Sequence, residues 1–213
     1  MERGTNDGVN DGVTERTILE RIIDSRDRTV GGGSAAALAG GMAAGLAGLV
    51  ARLSESGDFG LSSERCRALA DEVDALAAQL QQGAYADADA YRAVVDAYRL
   101  PHDDPASESS REAAIQRAMV GAATVPRDNA RAAHHVWGLC IELEGASNPN
   151  ASSDLAVALL LAKTAVIGCV ANIEINLPLI KDQATADELQ REATSLRGSL
   201  AARAQLDPTE EGQ

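Results

Sequence analysis

Apolar residues recur at steps of three and four through most of this chain, a period typical of amphipathic helices. Leu69, Val73, Leu76 and Leu80, for example, would lie on one side of a single helix. We find no alternation typical of strands. The pattern predicts helices over residues 14–30, 35–53, 62–100, 109–119, 126–145, 154–173 and 185–200.

Caps and helix breakers mark the ends of these segments. Ser34 follows three glycines and is predicted to cap the helix over residues 35–53. Ser109 and Glu112 have the spacing of a capping box, and Pro126 suits the first turn of a further helix. The other helix starts carry caps of the same residue types: Thr14, Ser62, and Thr185 with Glu188.

Composition favours a single all-α domain. Only 2% of the 213 residues are aromatic and alanine is very common, which suits closely packed helices better than a sheet core. This length allows one sizeable core and is short for two. We therefore predict an all-α single-domain helical bundle over residues 14–206, between a disordered lead at 1–13 and a polar tail at 207–213.

Two of the predicted helices are unusually apolar. Residues 35–51 carry no charge, and Lys163 is the only charge inside the helix that follows Asp154. We expect the latter helix to be buried nearly all round. Glycines within residues 35–51 permit close approach of another helix, which predicts a buried central crossing or the interface of an intertwined homodimer. A membrane span is less favoured, because alanine and glycine contribute little transfer energy.

The chain is strongly acidic, with 19 basic and 32 acidic residues and a net charge of −13. This charge disfavours binding to nucleic acid or to an anionic membrane. Cys66, Cys140 and Cys169 are scattered in apolar surroundings and are predicted to be reduced core residues. We see no signal peptide and no metal-binding spacing, so we expect a cytoplasmic protein without a metal.

The strongest local signal is Gly31-Gly32-Gly33-Ser34 at a predicted helix start. Glycines there allow a ligand to approach backbone N–H groups at the positive end of the helix. The segment lacks the Gly-Lys-Ser/Thr of a phosphate loop, and the helix that precedes it excludes a dinucleotide fingerprint. A flexible turn with an N-cap is the alternative interpretation.

Acidic residues with candidate chemistry occur at two places. Asp87 and Asp89 lie among alanines on the long helix, so one of them can face inward. The alternative is that both carboxylates are solvated. Asp154 follows two serines at a helix start, where it either interacts with the helix dipole or takes part in chemistry.

Three further polar residues lie within or just after the predicted helix over residues 154–173. Asn172 and Asn176 are four residues apart, so both amides share one helical face and either read the edge of a ring or satisfy the helix end. Lys163 requires a carboxylate or a ligand anion, because burying an unpaired ammonium is unfavourable.

Short segments in a fixed order carry a resemblance across the chain from about Ile18 to Leu200. They are residues 31–40, 89–91 with 97–101, 111 with 114–116, 125–126, 148–158 and 172–177. Together they resemble the cyclodeaminase domain of the formiminotransferase-cyclodeaminase family and its stand-alone relatives, the bacterial methenyltetrahydrofolate cyclohydrolases. The chain departs from the family pattern at Arg28-Thr29-Val30, where a proline-rich stretch is usual, and at Ser147, where glycine is usual.

The resemblance implies a dimeric, all-helical folate enzyme that needs no cofactor besides its tetrahydrofolate substrate. Methenyltetrahydrofolate is a delocalised cation, and its hydrolysis requires attack by water with removal of a proton. We assign the catalytic roles to Asp89 and Asp154, which are expected to lie in one cleft with the glycine loop as another wall. The implied substrate-binding residues are Gly31, Gly32, Gly33, Ser34, Arg111, Asn148, Lys163, Asn172 and Asn176.

Within this set, the asparagines are expected to read the pterin or to orient an acid. Lys163 and Arg111 are expected either to bind the glutamate tail or to pair with a catalytic acid. The first prediction is a cyclohydrolase, because no formiminotransferase sequence accompanies this domain. The alternatives are a formiminotetrahydrofolate cyclodeaminase that releases ammonia and a non-catalytic folate-binding helical dimer.

Overall fold

A computed structural model of the protein describes residues 16–206, which form α-helices and short 3-10 turns with no strand in that range. The helices are α1 (Ile18–Ile23), α2 (Gly32–Ser54), α3 (Ser63–Tyr98), α4 (Pro105–Leu143), α5 (Ser152–Asn176) and α6 (Gln183–Leu206). The predicted all-α class is confirmed. The predicted lead and tail, and the Thr14 cap, lie outside the described residues.

Helix α2 crosses the centre of the bundle and packs against α3, α4 and α5. Small residues make this possible: a side chain on Gly40 would lie 3.1–3.3 Å from Leu80 of α3, Ala133 of α4 and Ala165 of α5. The predicted central crossing is therefore present within one chain. Gly45 of the same helix has no such neighbour within 4 Å.

The core has the predicted composition. The apolar stripe of α3 is buried, with Leu69, Val73, Leu76 and Leu80 each at most 8% exposed. All three cysteines are free and buried, as the sequence analysis predicts. Burial in these apolar surroundings raises the pKa of the Cys140 thiol to about 12, so it stays protonated and unreactive at neutral pH.

Helix α2 begins three residues earlier than predicted, and Ser34 does not cap it. Gly31 occupies the N-cap position and has no side chain to accept a hydrogen bond. The carboxylate of Asp87 from α3 lies at this helix start instead. The predicted capping role of Ser34 is therefore wrong, because a tertiary contact replaces the local cap.

Helix α4 is continuous where two helices were predicted. Its N-cap is Asp104, whose Oδ1 accepts hydrogen bonds from the N–H groups of Ala106 and Ser107 at 2.9 Å each. Ser107 Oγ in turn accepts a hydrogen bond from the Asp104 N–H at 3.1 Å, which completes a capping box. The predicted box of Ser109 with Glu112 is wrong, because the earlier signal starts the helix.

Pro126 lies inside α4 rather than at a helix start. Proline has no N–H, so the carbonyl of Ala122, four residues earlier, loses its usual partner in the helix. The side chain of Asn176 from α5 replaces that partner, since its Nδ2 donates to Ala122 O at 3.0 Å. This contact between helices allows α4 to continue through the proline.

Helix α5 is not buried nearly all round in the single chain, contrary to the prediction. Its outward side exposes Val157, Leu160, Ile167 and Ile175, between 45% and 72% accessible. Helix α2 and the segment Pro149–Leu179 are long and apolar enough to cross a membrane by length and composition alone, a test that core helices also pass. Each packs against the other and against α4.

Candidate functional site

A cavity of about 410 Å³ lies where the start of α2 meets α3, α4 and the end of α5. Its walls combine the glycine loop, two asparagines and several apolar side chains. The lining residues are Arg28, Thr29, Val30, Gly31, Gly32, Gly33, Asp87, Ala90, Tyr91, Val94, Met119, Ala122, Asn172, Ile175, Asn176 and Leu179. A largely apolar wall with a few polar groups suits a small organic ligand.

Asp87 brings a carboxylate into this cavity beside the start of α2. The hydroxyl of Ser34, which is fully buried, donates to Asp87 Oδ2 at 2.8 Å. A Cβ atom on Gly33 would lie only 2.2 Å from Asp87 Oδ1, so the glycine leaves the space that the carboxylate occupies. Ser34 and Gly33 therefore position Asp87 at the positive end of α2.

Two opposing effects act on the Asp87 carboxyl. Burial raises its pKa above the ordinary value, and the hydrogen bonds from the Ser34 side chain and backbone partly offset this rise. Burial also raises the pKa of the neighbouring Cys169 thiol to about 12, with the charge of Asp87 as a smaller cause. Asp87 is thus a poorly solvated carboxylate, a better proton acceptor than an exposed aspartate.

Asn172 and Asn176 line the same cavity, so the predicted pair of amides shares one site with the glycine loop. Asn172 Nδ2 donates to Gly168 O at 2.8 Å, and Asn176 Nδ2 donates to Asn172 O at 2.8 Å as well as to Ala122 O. These bonds hold both side chains in place. Within residues 16–206 nothing donates to either Oδ1 atom, so both can accept a hydrogen bond from a ligand.

Asp89 does not line this cavity. Its side chain is 67% exposed and lies 3.1 Å from Arg92 Nη1. The sequence contains a signal that distinguishes the two aspartates. Asp87 follows Leu80 by seven residues and so continues the buried stripe of α3, whereas Asp89 does not. The catalytic assignment of Asp89 stays a prediction, and the geometry favours Asp87.

Asp154 and Asn148 lie at the opposite end of α5. Asp154 is in the first turn of that helix, 18 positions before Asn172, which corresponds to about 27 Å along the axis. Asn148 joins the loop before α5 to the end of α2, with its N–H bonded to Ser54 Oγ at 2.8 Å and its Nδ2 to Leu53 O at 3.0 Å. It also lines a second cavity, of about 540 Å³. The predicted cleft shared by Asp154 and the glycine loop is therefore not present within one chain.

The two predicted cations do not line the first cavity either. The guanidinium of Arg111 donates to Tyr98 O from Nε and Nη2, at 3.3 and 3.1 Å, and lies over the Tyr98 ring. It thereby holds the connection between α3 and α4. Lys163 is half-buried and forms no ion pair with any residue in the range 16–206. The cation that does line the cavity is Arg28, which the sequence analysis did not select as a site residue.

No group of three or more histidine, cysteine, aspartate or glutamate side chains in the described part of the chain could hold a metal ion. The expectation that neither a metal nor a cofactor is required stays a prediction.

The chain matches a known protein family over most of its length. The family model described as formiminotransferase-cyclodeaminase matches residues 17–195. The pig and mouse formimidoyltransferase-cyclodeaminases are 32% and 30% identical over 177 residues, 83% of this chain but only 33% of those proteins. The chain thus spans a third of their length.

A bacterial relative matches the chain over nearly its whole length. The methenyltetrahydrofolate cyclohydrolase of Methylorubrum extorquens strain AM1 is 30% identical over 189 residues, 88% of this chain and 89% of that protein. The crystal structure of formiminotetrahydrofolate cyclodeaminase from Thermotoga maritima superposes with a TM-score of 0.74, at 23% identity, over 84% of this chain and 86% of that one. It shows that the two chains share a fold.

Proposed function

Because the chain belongs to the formiminotransferase-cyclodeaminase family, we propose that it hydrolyses methenyltetrahydrofolate to formyltetrahydrofolate in the cavity beside the glycine loop. The observation that carries this proposal is the half-buried carboxylate of Asp87 in that cavity. A delocalised cation is the kind of substrate that such a carboxylate attracts, and a poorly solvated carboxylate is suited to accept a proton.

The arrangement assigns a role to each part of the site. Water attacks the carbon that bridges the two nitrogens of the substrate, and Asp87 takes the proton that this water loses. Collapse of the adduct forms the formyl C=O bond as the hydroxyl loses its proton and one carbon–nitrogen bond breaks. The departing nitrogen gains one of the two protons that the water has lost, and the other is released. The hydrogen bond from Ser34 to Asp87 Oδ2 holds the carboxylate in place beside the cavity while it accepts a proton from the water. The Oδ1 atoms of Asn172 and Asn176 accept hydrogen bonds from N–H groups of the pterin.

We prefer the cyclohydrolase reaction to the cyclodeaminase reaction because a relative named for it aligns over 88% of this chain and 89% of its own length. The bifunctional relatives and the solved cyclodeaminase from Thermotoga maritima align over 83% and 84% of this chain. The names of those relatives favour the deaminating reaction as the second candidate. Ammonia release from formiminotetrahydrofolate by the same preparation tests it, and a protein that binds folate without either turnover would be the non-catalytic dimer.

The central test replaces Asp87 with Asn, which preserves the shape of the side chain and removes its charge. We expect a loss of turnover on the order of 100-fold or more, measured as the decay of near-ultraviolet absorbance of methenyltetrahydrofolate above the spontaneous rate. Asp96→Asn on the same helix, where Asp96 is exposed beside Arg99, is the matched control. Asp89→Asn and Asp154→Asn compare the competing assignments, and near-wild-type turnover in Asp87→Asn would contradict the proposal.

The same variant has an expected effect on stability. The pKa of Asp87 is raised in the folded state, so folding favours its protonated form and the ionised form is destabilising. The stability that protonated Asp87 contributes is present at low pH and is lost as the pH rises through the pKa of Asp87 in the folded protein. Asp87→Asn should therefore be at least as stable as the wild type at pH 7, and this relative gain should vanish below the ordinary aspartate pKa. A melting curve across pH separates lost chemistry from lost folding.

We also propose that the protein acts as a homodimer in the cytoplasm. The dimer is supported by exposed apolar side chains on α2 and α5, two helices that pack against each other, because a second copy could cover them. These side chains are Met42, Leu49, Leu53, Val157, Leu160 and Ile167. Lys163 lies on α5 beside them without an ion-pair partner in residues 16–206, so a second copy that covers this face would have to supply an anion.

A further inference from the structure

Arg28 is the one cationic side chain among the described residues that line the cavity, and Asp87 is the one anionic side chain. Asp87 is bonded to the fully buried Ser34, whereas Arg28 is exposed, so the two charges lie at different depths of one cavity. The cavity therefore has a negative interior and a positive outer edge.

The loop that carries Arg28 is held by its neighbours. Asp27 Oδ1 accepts a hydrogen bond from the Thr29 N–H at 2.9 Å, and Asp27 Oδ2 pairs with Arg21 Nε at 3.2 Å. These contacts with Thr29 and Arg21 lower the pKa of the Asp27 carboxyl to about 2. The residues on both sides of Arg28 are thus fixed, and Asp27 is already engaged by other groups.

Arg28 itself has no ionic partner. Asp24, the other nearby acid, pairs with Arg16 at 3.2 Å and with Arg26 at 3.0 Å. Within residues 16–206, Arg28 forms neither a salt bridge nor a hydrogen bond. A guanidinium that is free beside a cavity, while the acids of its own loop bind other arginines, is available to a ligand anion.

We infer that Arg28 is a specificity-determining residue that binds a carboxylate of the substrate's glutamate tail. The inference rests on the proposed function, in which the cationic ring lies against Asp87, because the opposite end of such a folate carries two carboxylates. The chain has a net charge of −13, which repels an anionic tail, so a local cation at the cavity edge has a clear electrostatic effect. Arg28 thereby takes the role that the sequence analysis offered to Lys163 and Arg111.

The test compares two unreactive ligands, pteroylglutamate and its diamide, which have nearly the same size but differ in tail charge. Calorimetry on the wild-type protein should show tighter binding of pteroylglutamate, by roughly three- to tenfold for an exposed charge-assisted contact. Arg28→Gln should remove that preference, and Arg28→Lys should keep most of it. Arg26→Gln is the matched control, because Arg26 is two residues away, pairs with Asp24 and does not line the cavity.

Kinetics give an independent readout. Arg28→Gln should raise KM for methenyltetrahydrofolate by a similar factor with little change in kcat, the pattern of lost uniform binding. An unchanged ligand preference in Arg28→Gln, or an equal loss in Arg26→Gln, would overturn the inference. The wild type could prefer pteroylglutamate to its diamide and lose that preference in Arg28→Gln, yet show no turnover. That result would support the role of Arg28 and reject the proposed reaction. A KM for methenyltetrahydrofolate that is unchanged in Arg28→Gln would overturn the inference and leave the proposed reaction standing.

Discussion

Gly33 leaves the space beside the start of α2 that the Asp87 carboxylate occupies. A Cβ atom there would lie 2.2 Å from Asp87 Oδ1 and 2.7 Å from Asp87 Cγ. Aspartate has a short side chain, so relief requires the carboxyl group as a whole to move.

Gly33→Ala is therefore expected to reduce turnover on the order of 10- to 100-fold, since small displacements of a reacting group are costly. Folding should be retained, because alanine is a better helix former than glycine. The measurement is turnover and melting temperature on one preparation. Gly138→Ala is the control, because Gly138 lies on α4 with no neighbour within 4 Å of an added Cβ. Full activity in Gly33→Ala would mean that the carboxylate position is unimportant.

At the scale of elements, the contact between α4 and α5 explains how a proline is accommodated within a 39-residue helix. The hydrogen bond from Asn176 Nδ2 satisfies the Ala122 carbonyl that Pro126 leaves without a partner. Asn176 also lines the cavity, so the same side chain connects helix continuity with the shape of the site.

We expect Asn176→Ala to destabilise the protein by about 0.5–1.5 kcal/mol, the usual net contribution of a hydrogen bond, because the Ala122 carbonyl is only part-buried. In the Pro126→Ala background the restored N–H can bond Ala122 O within α4, so the cost of Asn176→Ala should be clearly smaller. Denaturant unfolding of the two single variants and the double variant forms a double-mutant cycle. Strict additivity would show that the proline and the asparagine act independently.

At the scale of the whole molecule, the exposed apolar faces of α2 and α5 have a direct test in Gly45. An added Cβ at Gly45 meets nothing within 4 Å, so a side chain there has room in a single chain. Within a close helix interface the same side chain would be overpacked.

Gly45→Leu should therefore leave the chain folded but weaken dimerisation by roughly 10- to 100-fold. Light scattering across a micromolar concentration series measures the change, with Gly138→Leu on α4 as the control at an equally open position. A wild-type protein that is monomeric at micromolar concentration would reject the dimer, and a fully dimeric Gly45→Leu would place the interface elsewhere.

Several parts of this protein were determined by local sequence alone. The spacing of apolar residues indicated the α3 stripe, and Ser62 caps that helix through a hydrogen bond from the Arg65 N–H, as predicted. The all-α class followed from the same periodicity and from the scarcity of aromatic residues. These features depend on interactions within a few residues of one another, so a linear pattern contains the necessary information.

Tertiary structure decided the features that depend on contacts distant in sequence. Ser34 lies inside α2 and does not cap it, and its hydroxyl donates instead to Asp87, 53 residues later in the chain. Helix α4 continued through Pro126 because Asn176 donates a hydrogen bond to the Ala122 carbonyl, which the proline leaves without a partner. The choice between Asp87 and Asp89, and the presence of Arg28 in the cavity, likewise depend on how helices pack around each residue. Local periodicity describes which side of a helix a residue occupies, whereas the fold decides what that side faces.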